Sequence, residues 1–308
     1  MKLVTYEAGG DGRRLGAVVN DQVLDLVRAA EAQGASLPDT MLDFIVAGNS
    51  VWNRAREIVS EAASRGDVLP SDRVRSLSEV KLRAPIPRPP KNVFCLGLNY
   101  REHLEESNRA SNRDLAPTVP VFFTKAVTSI IGPEEGILFN ESVSTRYDWE
   151  AELGLVIGEG GRGITREHAL DHVFGYTCFD DVSVRDIQNL HVQWFLGKSF
   201  DGTCPFGPWI ITADEVPDPH NLKIECRVNG VVKQSSNTSL FINNIPEMVY
   251  HLSKGITLEP GDLISTGTPS GIGNARTPPE YLKPGDVVEV EIEGVGVLRN
   301  PVVDINEV

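Results

Sequence analysis

Seven residues, Ala84-Pro85-Ile86-Pro87-Arg88-Pro89-Pro90, constrain this chain more than any others. Each proline lacks an N–H donor and disfavours helix in the residue before it, so the stretch is an extended connector. It divides the chain into a short N-terminal part, 1–85, and a long remainder, 86–308. Residues 1 to 26 alternate apolar and polar positions around the turn clusters Gly9-Gly10-Asp11-Gly12 and Asn20-Asp21, the pattern of a small antiparallel meander. From Leu26 to Arg65 the apolar spacing shifts to three and four, with stripes at Met41, Phe44, Ile45, Ala55, Ile58 and Val59 that predict two or three helices. Beyond the prolines, short apolar runs at 93–98, 153–157, 222–228, 262–266 and 287–292 are punctuated by Gly and Pro, which predicts strands. The chain therefore reads as α+β and β-rich, with a small N-terminal α+β domain.

Charge narrows the partners. With 29 Lys plus Arg against 43 Asp plus Glu, the net charge is −14, and no long basic run exists to track a phosphate backbone or an anionic membrane surface. Nucleic acid and membrane are thus excluded as expected partners. No apolar run reaches the roughly 18 to 20 residues of a bilayer span, and the start, MKLVTYEAGGDGRR, lacks the apolar core of a signal peptide, so a cytoplasmic location is expected. Cys95, Cys178, Cys204 and Cys226 show no C-x-x-C pair and read as buried thiols.

Two acidic segments carry chemistry. In Asp148-Trp149-Glu150-Ala151-Glu152-Leu153-Gly154-Leu155, strand alternation turns Glu150 and Glu152 to one face and Trp149, Ala151, Leu153 and Leu155 into an apolar layer. Two carboxylates then lie about 7 Å apart along one face, and their repulsion calls for water or a cation between them. Taken alone, the pair reads as an ordinary solvated strand face. The second segment, Tyr176-Thr177-Cys178-Phe179-Asp180-Asp181, is an apolar strand ending in two aspartates. A carboxylate from its end converging on Glu150 and Glu152 would make an all-oxygen site suited to Mg2+ or Mn2+, with positions left open for a chelating substrate.

Three further segments stand out. Gly97-Leu98-Asn99-Tyr100-Arg101-Glu102-His103 reads as a strand entering a helix, with Asn99 as N-cap and Glu102 closing a capping box. His103 and Glu106 then share a helical face, as an imidazole base and its orienting carboxylate would, though a surface His–Glu contact has the same spacing. Lys198, flanked by Trp194-Phe195-Leu196-Gly197 and Ser199-Phe200-Asp201, either reaches a substrate oxyanion or lies exposed with its stem on apolar surface. The run Thr266-Gly267-Thr268-Pro269-Ser270-Gly271-Ile272-Gly273 follows a strand and offers backbone N–H groups to an anion, or is a plain loop.

Together with Asp180-Asp181-Val182-Ser183-Val184-Arg185-Asp186-Ile187-Gln188, these segments resemble the fumarylacetoacetate hydrolase family, at its acylpyruvase-like branch, over residues 85 to 303 and in family order. The resemblance implies a mixed β-roll core, a homodimer and one Mg2+ or Mn2+ per subunit on Glu150, Glu152 and Asp181. It implies a water-activating dyad of His103 and Glu106 on a segment that closes over substrate, with Lys198 as the active-site lysine. Thr268 would hold the substrate carboxylate, with Arg101 and Gln188 as further substrate contacts. The family commonly has Asn-Asp where this chain has Asp180-Asp181, so the ligand is assigned to Asp181. The expected reaction is hydrolysis of the carbon–carbon bond of a 2,4-dioxo acid such as an acylpyruvate, a small anionic keto acid. The alternative keeps the same chelate and decarboxylates oxaloacetate or a tricarboxylate, or shifts a proton as a hydroxydienedioate isomerase does.

Overall fold

The computed structural model describes residues 1–10, 12–64, 72–111 and 117–307. Asp11 of the first turn cluster, Arg65 at the end of the helical stretch and Val308 lie outside the described residues.

The expected meander forms: Lys2–Glu7, Arg13–Val19 and Gln22–Asp25 pair antiparallel in sequence order. Three helices follow, Leu26–Glu31, Met41–Val46 and Asn49–Ser64. The first two are capped as helix chemistry prefers, by the Asp25 carboxylate accepting from Arg28 N–H and the Thr40 hydroxyl from Asp43 N–H. The meander does not stand apart. Lys2–Glu7 pairs antiparallel with Cys204–Thr212, Leu3 opposite Ile210, so one sheet runs from Val74–Ser76 through the meander into the core strands Cys204–Thr212, Val173–Asp180, Ala151–Ile157, Leu263–Ser265, Val93–Gly97 and Val121–Lys125. A second sheet of five strands takes the order Val231–Asn237, Lys223–Val228, Val287–Ile292, Gly296–Asp304, Ile137–Phe139.

Alternation explains how the layers stack. In Ala151–Ile157, Leu153, Leu155 and Ile157 join a core with Ile224, Val288, Val290 and Leu298 of the second sheet. Val156 instead joins a core with Phe44, Trp52, Ala55 and Ile58 of the N-terminal helices. Every residue of this strand is buried, as a strand covered on both faces must be. The register Ala151 opposite Asp180 and Gly154 opposite Ser265 brings the start of one strand, the end of the next and the loop after Leu263–Ser265 to one edge of the sheet.

Candidate active site

That edge floors a cavity of about 320 Å³ lined by His103, Glu150, Glu152, Arg185, Gln188, Lys198 and Thr268, with Leu98, Phe123, Trp194 and Ile272 as apolar wall. Glu150, Glu152 and Asp181 each turn one carboxylate oxygen into a group whose atoms lie within 4.8 Å of one another, and all three residues are buried. The neighbouring Asp180 points elsewhere: its Oδ1 accepts the Glu150 N–H at 2.9 Å, while Asp181 N–H donates to Glu150 O. Burial raises the Asp180 carboxyl to about 7, against the pull of that backbone N–H and of Lys125. Glu152 Oε2 accepts from Ser265 Oγ and from Gly267 N–H, which fixes its orientation.

The cluster is anionic and its repulsion shows. Burial, then Asp181 and Glu150, push the Glu152 carboxyl well above the usual carboxylate range. Burial would do the same to Glu150, but Lys198 and Arg185 outweigh it and hold that carboxyl below its ordinary value. Lys198 Nζ donates to Glu150 Oε2 at 2.7 Å and to Asp181 Oδ2 at 2.6 Å, and Arg185 Nη2 lies 2.7 Å from Glu150 Oε1. Burial alone would lower the Lys198 pKa, yet Asp181 and Glu150 raise it, so this side chain is a fixed ammonium and not a base. Lys125, fully buried, brings its Nζ to 2.8 Å from Asp181 Oδ1, outside hydrogen-bond alignment, and that oxygen has no other partner. Three hard oxygen donors, one of them buried without a hydrogen bond, fit a divalent cation.

His103 and Glu106 lie on the helix Arg101–Ser111, His103 Nδ1 being 3.0 Å from Glu106 Oε1. Glu106 also accepts the Gly271 N–H at 3.1 and 3.0 Å, and Glu102 accepts from Ser270 Oγ, so the helix is pinned to the loop over the cavity. The expected capping box does not form. Asn99 is buried, and its carboxamide is taken up by Thr266 O, Asn243 O and Asn243 N–H instead of the helix end. Gly267, at φ +94°, packs where a Cβ would stand 2.6 Å from Asn99 Cβ.

Lys198 is not exposed. It ends the short helix Phe195–Lys198 and is buried against the carboxylates. Gln188 accepts from Arg185 Nη1 at 3.0 Å and lines the cavity, whereas Arg101 is exposed and does not line it. Two residues at the site had carried no functional reading. Asp148 accepts Gly273 N–H, Asn274 N–H and Arg185 Nε, and Gln234 reaches the Thr268 loop from the second sheet. Asp148 sat beside the acidic pair and could have been suspected, but nothing in the run around Gln234 marks it.

This fold and cavity define a family, and comparison with known proteins agrees. Residues 92–303 match the family described as fumarylacetoacetate (FAA) hydrolase C-terminal, and the chain belongs to it. Among its relatives, oxaloacetate tautomerase YisK of Bacillus subtilis (strain 168) is 42% identical over 291 residues, 94% of this chain and 95% of the relative. The mitochondrial oxaloacetate tautomerase FAHD2A of Homo sapiens is 43% identical over 270 residues, 87% of this chain and 81% of the relative. The crystal structure of maleylpyruvate hydrolase from Sphingobium sp. SYK-6 in complex with manganese (II) ion and pyruvate superposes with a TM-score of 0.77 at 32% identity, covering 99% of both chains. Among the described residues, no helix is long and apolar enough to cross a membrane.

The relatives overturn the expectation of acylpyruvate hydrolysis, since the Bacillus subtilis and human proteins, at 42% and 43% identity, are oxaloacetate tautomerases. The error has a chemical cause. Hydrolysis, decarboxylation and tautomerisation of 2-oxo acids all develop charge on the same enolate, so motifs that build the enolate site do not distinguish among them. The proton-shifting alternative is the one these relatives favour.

Proposed function

We propose that this chain interconverts the enol and keto forms of oxaloacetate or a closely similar small 2-oxo diacid, with one Mg2+ or Mn2+ per subunit held by Glu150, Glu152 and Asp181. A homodimer is proposed with it, on the family resemblance. The observation that carries the reading is a cluster of three buried carboxylates, two of which line one cavity together with an ammonium and a carboxylate-oriented imidazole. Identity above 40% to oxaloacetate tautomerases supports the substrate.

Tautomerisation moves one proton between the C2 hydroxyl and C3 of the enol, so atoms and charge balance without water. A divalent cation on the three carboxylates supplies Lewis-acid stabilisation of the negative charge that develops at the 2-oxo oxygen. With Nδ1 turned to Glu106, His103 presents Nε2 as the nitrogen able to take and return a proton. Glu106 fixes the orientation of the ring. Lys198 and Arg185, both buried cations, offset the charge of the carboxylates and leave the cavity able to accept an anionic substrate. The apolar wall of Leu98, Phe123 and Trp194 limits the water that would otherwise exchange protons with the intermediate.

The test follows enol oxaloacetate by its ultraviolet absorbance in the presence of Mg2+ or Mn2+. Ketonisation well above the spontaneous rate, abolished by EDTA and restored by added metal, is the expected result. Decay at the uncatalysed rate with either metal overturns the proposal.

A further inference from the structure

Gln234 lies on Val231–Asn237, the edge strand of the five-stranded sheet, yet its side chain is buried and all its hydrogen bonds go to the site. Its Oε1 accepts the Ala151 N–H at 2.9 Å. Its Nε2 donates to Thr268 Oγ1 at 2.8 Å and to Pro269 O at 2.9 Å. Thr268 Oγ1 in turn donates to Ala151 O at 3.0 Å, which closes a ring of hydrogen bonds on the residue between Glu150 and Glu152. Three residues after Thr268, Gly271 packs so tightly on Val231–Asn237 that a Cβ would stand 2.3 Å from Lys233 O, and its N–H is the group that Glu106 accepts.

A hydroxyl has one proton to donate. That of Thr268 is committed to Ala151 O, so it cannot also be given to a carboxylate. We infer that Gln234 is a positioning residue of this site: it fixes the Thr268 loop to the strand that carries Glu150 and Glu152, and Thr268 meets a substrate carboxylate through its main-chain N–H, not its hydroxyl. The inference rests on the tautomerase reading only for the reaction used to assay it. Glu152 and Glu150 have their own anchors in Ser265, Gly267, Lys198 and Arg185, so loss of Gln234 acts on substrate placement before it acts on the metal.

Gln234→Leu removes every arm of the carboxamide, while Gln234→Glu keeps an acceptor for Ala151 and loses the donors to the loop. Both variants are expected to raise KM for enol oxaloacetate about tenfold with kcat changed less than about threefold. The Mn2+ concentration giving half-maximal activity stays put. Amide exchange in the peptide spanning 266–274 speeds up in both, without added ligand. Thr268→Val combined with Gln234→Leu is expected to cost little more than either alone, because they break one ring. A folded Gln234→Leu with wild-type KM and wild-type exchange in that peptide overturns the inference, as does full additivity with Thr268→Val. Should the wild-type protein leave oxaloacetate untouched, the tautomerase reading fails on its own, and the exchange rates still decide the role of Gln234.

Discussion

Lys198 Nζ lies 2.6 Å from Asp181 Oδ2, so an ammonium and the proposed cation share an oxygen-bearing group. Removing one partner of a buried ion pair leaves its mate uncompensated. Lys198→Met should therefore lower the melting temperature of metal-free protein, tighten Mn2+ binding about tenfold or more, and abolish turnover. Calorimetric titration with Mn2+ beside a rate assay checks this, and weaker Mn2+ binding would count against the arrangement.

Glu152 sets a pH dependence. Its carboxyl is raised above the ordinary 4.5, so the stability it contributes is complete below that value and is lost as pH rises through its folded pKa. Metal-free protein should lose melting temperature as pH climbs, and Mg2+ should restore it. Glu150 works at the other end: its lowered pKa contributes stability that disappears as pH falls through that value. Glu152→Gln should flatten the fall with rising pH. Melting curves across pH, with and without Mg2+, read both limbs.

The dyad separates two roles. His103→Ala removes the proposed proton carrier and should cut kcat about 10²- to 10⁴-fold with KM little changed. Glu106→Ala loses the imidazole contact and the Gly271 N–H contact together, so kcat should fall and KM should rise. Steady-state kinetics of the two variants distinguishes them.

Gly267 tolerates no side chain. At φ +94°, with Asn99 Cβ and Leu96 O at 2.6 and 2.9 Å from the position of a Cβ, Gly267→Ala should destabilise the protein by about 1–3 kcal/mol or more. It should also loosen the N–H that Glu152 accepts, seen as weaker Mn2+ affinity.

Much of this was legible in the chain because local rules governed it. Alternation alone placed Glu150 and Glu152 on one face, and the Pro-Gly punctuation found the strands around them. What escaped depends on distance along the polypeptide. Asn99 looked like a helix cap by its neighbours, but its partners are Thr266 and Asn243, well over a hundred residues away. Lys198 could be read as exposed because nothing near it in the chain is acidic until Asp201, whereas Glu150 and Asp181 meet it only through the fold. Gln234 could not be singled out, since an alternating strand residue announces nothing about a loop on another sheet.

The pairing of Leu3 with Ile210 has a practical side. A fragment cut at the proline connector would strip Cys204–Thr212 of a neighbour and uncover the apolar underside of Val156, Phe174 and Ile210, leaving a bare adhesive margin next to the strand that ends at Asp180. The meander and its helices thus brace the sheet that carries the carboxylates from behind, without lining the cavity, and trimming them for convenience should yield clumped, inert protein.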